Sequence, residues 1–155
     1  MKPWTVIYRL ANALRRGLWL ITAPITTGVR VLMVRDGQVL LVKHVYQPGW
    51  FLPGGGVQRG ETLETAARRE AAEEVGAQLG EIAFFGMYTN FYDRVTDHIA
   101  VFACTDFSLS GRSDHEIEQW AFFPFDAQPE GTAPGHDRRV AEFVCGQPCP
   151  VTGKW

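Results

Sequence analysis

Apolar residues recur at steps of three and four along the start of the chain. Ile7, Leu10, Leu14, Leu18 and Ile21 form a stripe of helical period over residues 4–21, with Arg9, Arg15 and Arg16 towards the other side. Such a stripe predicts an amphipathic helix or arm, residues 1–23, packed on the following domain. A basic helix lying on a membrane surface is the alternative use of the same pattern. After Pro24 the period changes to that of strands. Residues 27–34 and 38–44 are β-rich and meet at Asp36-Gly37, a pair suited to the positive φ of a tight hairpin turn. Residues 50–52 read as a short strand, closed by Pro53 and three glycines. The clearest helix spans about 62–75, and apolar, aromatic-rich strands follow at 82–88, 98–105 and 120–125. A last helix is expected at 137–145, with residues 149–155 as a C-terminal tail. Strands, helix, strands, helix predict a mixed α/β sandwich, with helices on both faces of one sheet.

Composition narrows the class. With 155 residues, 46% hydrophobic and 21% charged, the chain suits one folded domain and excludes a disordered or fibrous protein. Fifteen basic against 17 acidic residues leave a charge of −2, which argues against binding duplex DNA by bulk electrostatics. Attraction for phosphate must therefore be local or carried by a metal. Cys104, Cys145 and Cys149 have no zinc-finger spacing and cannot all pair, which predicts reduced thiols and a cytoplasmic location. No apolar run reaches the roughly 18 residues of a membrane span.

The chemistry is concentrated in the 62–75 helix and the loop before it. Thr62 suits an N-cap and Gly76 the left-handed residue after the last turn. Glu70, Glu73 and Glu74 lie three and four residues apart and share one sector, in line with the apolar Leu63, Ala66 and Ala67. An inward stripe thus runs directly into three carboxylates. Like charges at these spacings weaken a bare helix by a few tenths of a kcal/mol per pair. Divalent cations would compensate, and hard carboxylate oxygens select Mg²⁺, Mn²⁺ or Ca²⁺ over zinc. Magnesium shared with substrate phosphates suggests phosphoryl or pyrophosphoryl chemistry.

Read together, Gly55, Glu61, Arg69-Glu70, Glu73-Glu74 and Gly76 resemble the signature of the Nudix hydrolase family. All seven sharply specified positions match, with a chance on the order of 10⁻⁸ to 10⁻⁹ per starting position from background frequencies. Ala71 and Ala77 stand where the pattern has bulkier aliphatic residues. The resemblance extends from about Gly28 to Val144, and it implies that family's α/β/α sandwich over residues 24–148, with the N-terminal helix as an addition.

Its implied activity is Mg²⁺-dependent hydrolysis of a nucleoside diphosphate linked to another group, by water attack on phosphorus, with Mn²⁺ able to substitute. By position, Glu70, Glu73 and Glu74 are implied metal ligands, and the Gly55 carbonyl a further one. Glu70 is also a candidate general base. Glu61 and Arg69 would support the loop through an ion pair, and Glu116, with Glu118 as competitor, would add a ligand or base. Arg30 and Lys43, on the first two strands, are candidates for substrate phosphate, while a solvated strand face is the bland alternative. Tyr88, Phe91 and Tyr92 could stack on a base or serve the core. Two other functions fit the fold: a non-catalytic nucleotide sensor, and an isoprenoid diphosphate isomerase, for which Cys104 is the mid-chain thiol. The expected partner is a small nucleotide derivative, and a homodimer is the assembly the resemblance allows.

Overall fold

Val, Leu and Met at alternating positions build the central hairpin. β1 (Ile25–Arg35) and β2 (Gln38–His44) are joined by Asp36 and Gly37, whose φ values of 50° and 73° are the left-handed pair this turn requires. Val29, Val31, Met33, Leu40 and Val42 enter one buried cluster, and Leu32, Val39 and Leu41 enter another. That is the period of two expected of strands buried on both faces. A helix must then cover each side. α2 (Leu63–Val75) covers the first through Ala66, Ala67, Ala71 and Val75, and α3 (Pro134–Val144) covers the second through Val140 and Phe143. The structure is a computed structural model that describes residues 3–111, 113–147 and 149–155.

Six further strands complete the chain: β3 (Ala77–Leu79), β4 (Ala83–Tyr92), β5 (Val95–Cys104), β6 (Phe107–Leu109), β7 (Ile117–Pro124) and β8 (Val151–Lys154). The main sheet runs β7-β2-β1-β5-β4-β8, while β3 and β6 make a separate two-stranded ribbon. β1 lies parallel to β5 and β4 parallel to β8, the other pairs being antiparallel. The expected mixed sheet between helices is therefore present.

Several details differ from the sequence reading. β4 and β5 extend towards each other and meet at Asp93 and Arg94, with φ of 44° and 64°. Non-glycine residues rarely take this conformation, so composition did not mark the turn. Residues 50–52 make isolated bridges, Val42 to Phe51 and Trp50 to Thr132, and no continuous strand. The expected tail carries β8, which adds to the sheet edge beside β4 and brings Trp155 onto Tyr88 and His136.

The largest difference concerns α1 (Pro3–Thr22), where the helix forms but its apolar stripe faces outward. Leu14 and Ile21 are 79% and 81% exposed, and Ile7, Leu10 and Leu18 are exposed too. Period alone defines the stripe, not which side meets the domain. The side chain of Arg9 lies outside the described residues. No helix among the described residues is long and apolar enough to cross a membrane.

His136, at the start of α3, ties this helix to the loop across the sheet by accepting the Leu52 N–H at 2.9 Å through Nδ1. Burial, with Arg30 nearby, holds its pKa well below 6.5. The unfolded imidazole therefore takes up a proton first as pH falls. The stability from neutral His136 is complete above about pH 6.5 and is lost below it, by up to about 1.4 kcal/mol per pH unit. Urea denaturation between pH 5 and 8 should reveal that slope. His136→Asn, which keeps an acceptor for Leu52, should flatten it by one proton, and an unchanged slope would contradict the assignment.

Candidate functional site

The glycine loop is held as an extra strand along the first half of β1. Val29 N–H donates to the Gly55 carbonyl and Val31 N–H to the Pro53 carbonyl, both at 2.9 Å, and Val57 N–H donates to Thr27 at 3.0 Å. Gly54 makes this approach possible. Its φ is 137°, and a Cβ there would sit 2.1 Å from the Val29 carbonyl oxygen. Only a residue without a side chain fits.

α2 begins where the loop ends. Thr62 Oγ1 accepts the Thr65 N–H at 3.1 Å, and Gly76 closes the helix with φ of 64°. Between these caps, Arg69 fastens helix to loop. Its Nε donates to Glu61 Oε1 at 2.8 Å, and its Nη2 donates to Glu61 Oε2 and the Gly56 carbonyl, each at 3.0 Å. The remaining nitrogen, Nη1, donates to Glu70 at 2.7 Å and Glu73 at 3.1 Å. The hydrogen bond from Arg69 holds Glu61 below the usual carboxylate range, and Glu61 in turn raises the guanidinium.

Glu74 is buried, at 7% exposure, and its Oε2 accepts the Gly54 N–H at 2.8 Å. Burial pushes its pKa up to about 8, while Arg30 and the Gly54 N–H pull it back and Glu70 and Glu116 add to the rise. His44 Nε2 lies 3.7 Å from Glu74 Oε1, yet burial pushes that imidazole down to about 4. Both groups are driven towards neutral forms, so this contact is no ion pair at neutral pH. Glu70 is raised first by burial, and Glu116 by burial and then by Asp114 and Glu70. Closely set acidic groups thus oppose one another's ionisation.

All four glutamates line one cavity of about 1410 Å³, together with Gly55, Arg30 and Arg69. The Nε and Nη1 atoms of Arg30 are buried there without a hydrogen-bond partner among the described residues. Glu61 braces the loop from outside the cavity. Lys43 does not line it either, because its Nζ is 3.3 Å from Glu118 on β7. Tyr88 lies in the core, Phe91 is exposed, and Tyr92 lines the cavity. Cys104 is buried, with Sγ directed at the Glu81 and Asp106 carbonyls away from the cavity. Asp97 accepts from Thr26 Oγ1 at 2.6 Å, whereas His98 meets Thr89, so these neighbours form no dyad. Sequence reasoning did not single out His44, Tyr46 and His136 for the cavity, nor Arg15, Arg16 and Trp19 of α1. The basic face of α1 was the available signal for the last group, but it reads equally as a solvated surface.

The donors suit a hard divalent ion in kind, being carboxylate and carbonyl oxygens. A buried carboxyl with a raised pKa beside two other acids is also the electrostatic signature that positive charge relieves. Among the described residues no three His, Cys, Asp or Glu side chains already converge on a common ion position. Arg69 holds Glu70 and Glu73 to itself.

Comparison with known proteins points to one family. The family model described as the NUDIX domain matches residues 24–143. An RNA pyrophosphohydrolase from Gluconobacter oxydans is 31% identical over 110 residues, covering 69% of this chain and 61% of that protein. The nucleoside triphosphatase NudI of Escherichia coli is 47% identical over 58 residues, covering 34% of this chain and 41% of that protein. The chain thus spans less than two thirds of these curated relatives. A crystal structure of a MutT NUDIX hydrolase from Burkholderia pseudomallei superposes with a TM-score of 0.70 at 25% identity, over 76% of this chain and 97% of that one.

The Arg69 clamp has a measurable consequence. Arg69→Ala should lower stability, since it leaves Glu61 and half-buried Glu70 without their cation. Arg69→Lys should recover less than half, because an ammonium cannot span the bidentate partner and the carbonyl together. Equal stability of the lysine variant and the parent in urea would refute the clamp.

Proposed function

The chain belongs to the NUDIX family, and from that premise we propose that it is a pyrophosphohydrolase that cleaves the phosphoric anhydride of a nucleoside diphosphate linked to a further group. The observation that carries this reading is the meeting of Glu70, Glu73, Glu74 and Glu116 with the unpartnered N–H groups of Arg30 in one cavity. A site with acids alone would repel a diphosphate. One with cations alone would hold it without a base.

Glu70, Glu73 and Glu74, with the Gly55 carbonyl, would hold the Mg²⁺ or Mn²⁺. When bound, such ions neutralise charge on phosphate oxygens and lower the pKa of the attacking water. The protein's own groups do the rest. Arg30 lines the cavity, and its guanidinium charge offsets that of a substrate phosphate held beside the helix face. Glu70 stands half-buried at the cavity wall and accepts the proton of the attacking water. Glu116 approaches from the opposite loop, where its N–H donates to Asp114, and orients that water. Arg69 acts as a positioning residue for Glu70 and Glu73.

The expected activity is release of phosphate or pyrophosphate from nucleoside triphosphates in Mg²⁺ or Mn²⁺. Excess chelator should abolish it, and full turnover in chelator would overturn the metal assignment. Glu73→Gln and Glu74→Gln should each lower kcat by roughly a hundredfold while the circular dichroism spectrum is kept. Unchanged turnover in both would defeat the assignment of the helix face.

A subtler test uses Gly55. A Cβ there would meet the Glu70 carboxylate at 2.6 to 2.7 Å and no backbone atom at that range. Gly55→Ala should therefore stay folded with nearly unchanged stability, since Glu70 can swing aside. Its kcat should nevertheless fall by roughly tenfold or more, because the base is displaced by about an ångström. Parental kcat in a folded variant would remove Glu70 from the proton transfer.

A further inference from the structure

We propose that the face of α1 bearing Arg15, Arg16 and Trp19 is a second nucleotide-binding subsite, which takes the base and phosphate of a nucleotide beyond the cleaved anhydride. The inference rests on the hydrolase reading above but concerns residues outside the segment matched by the family model, which begins at residue 24.

Four observations carry it. These three side chains line the same cavity as the acidic helix face. The cavity, at about 1410 Å³, exceeds the roughly 300 to 1,000 Å³ of ordinary small-ligand pockets, so one nucleotide leaves part of it unfilled. The chemistry on α1 is that of nucleotide recognition. Two guanidinium groups offer planar donors to phosphate, and the Arg15 guanidinium lies over the Trp19 ring at 4.9 Å, with Tyr92 edge-on to it at 6.1 Å. Aromatic side chains at a cavity wall are platforms on which bases stack.

The fourth observation is how α1 is attached. Among the described side chains of α1, burial is confined to Trp19, which is half-buried. The polar attachments of the helix come from the turn between β4 and β5, where Asp93 pairs with Arg16 and Arg94 donates to the Leu20 carbonyl at 3.1 Å. Both turn residues have positive φ without being glycine, the left-handed pair that a two-residue hairpin turn requires.

Binding without turnover tests the subsite directly. In chelator, the parent protein should bind a 5′-phosphorylated dinucleotide lacking any anhydride at least tenfold more tightly than the matching mononucleotide, by titration calorimetry. Arg15→Ala and Trp19→Ala should each shrink that preference severalfold, and Arg15→Lys should restore part of it. A parent with no preference, or a preference that survives both alanine variants, overturns the subsite. Turnover then identifies the source of the second nucleotide. Substitution at Arg15 should raise KM roughly tenfold for either a dinucleoside polyphosphate or a 5′-triphosphorylated dinucleotide, with kcat little changed. Mononucleoside triphosphate turnover should stay within about twofold. Equal losses on the mononucleotide, or no loss on either longer substrate, refute the proposal. Metal-dependent turnover of the mononucleotide alone would leave the hydrolase reading intact while removing this one, so the two failures are separable.

Discussion

A single guanidinium joins the two halves of the site. Arg69 reaches from the middle of α2 to Glu61 and the Gly56 carbonyl on the loop, and with its third nitrogen to Glu70 and Glu73 on its own helix. The loop in turn is fixed along β1 by the Val29 and Val31 amides. Sheet, loop and helix thus form one rigid frame, and the acidic face is built on regular elements. That matters because carboxylates set this close oppose each other's ionisation, and burial raises Glu74 and Glu70 further. A flexible frame would let them swing apart into water. A rigid one retains the unfavourable field that a cation can relieve.

The frame also explains why so much of the centre was legible. Gly54 and Gly55 have steric reasons for being glycine, since a side chain would strike the Val29 backbone or the Glu70 carboxylate. Thr62 and Gly76 cap the helix for the local reasons their types suggest. Alternation in β1 and β2 follows from burial on both faces, and Asp36-Gly37 supplies its own turn. In each case the deciding interaction is local in sequence, so the residue type carries it.

What stayed illegible depended on contacts distant in sequence. Arg30 and Lys43 looked alike on adjacent strands, but register sends one into the cavity and the other to Glu118. β8 is a strand because the β4 edge accepts it, and its own four residues give little sign of that. The Asp93-Arg94 turn lacks glycine, so residue type does not mark the left-handed geometry that its two-residue hairpin requires. α1 shows the limit most sharply. Its period correctly marks a helix, yet burial, the usual reason for an apolar stripe, is absent, and the stripe points outward.

On the function proposed above, two groups of residues would divide the labour of the cavity. Groups that would touch the reacting phosphorus sit on α2, β1 and the strapped loop, where displacement by an ångström is resisted by core packing. Groups that would touch the remainder of a substrate sit on α1 and the β4-β5 turn, where attachment is polar and burial slight. Precision is required where bonds change, because rate depends steeply on alignment. Selectivity among substrates needs only differences of one or two kcal/mol, which a few exposed arginine and tryptophan contacts can supply. A helix added outside the family core can therefore alter what is bound without disturbing the frame that carries the chemistry. The outward stripe of α1 fits this separation: a helix drawn fully into the core would have its geometry fixed by packing, whereas this one is placed at the rim by its polar contacts with Asp93 and Arg94.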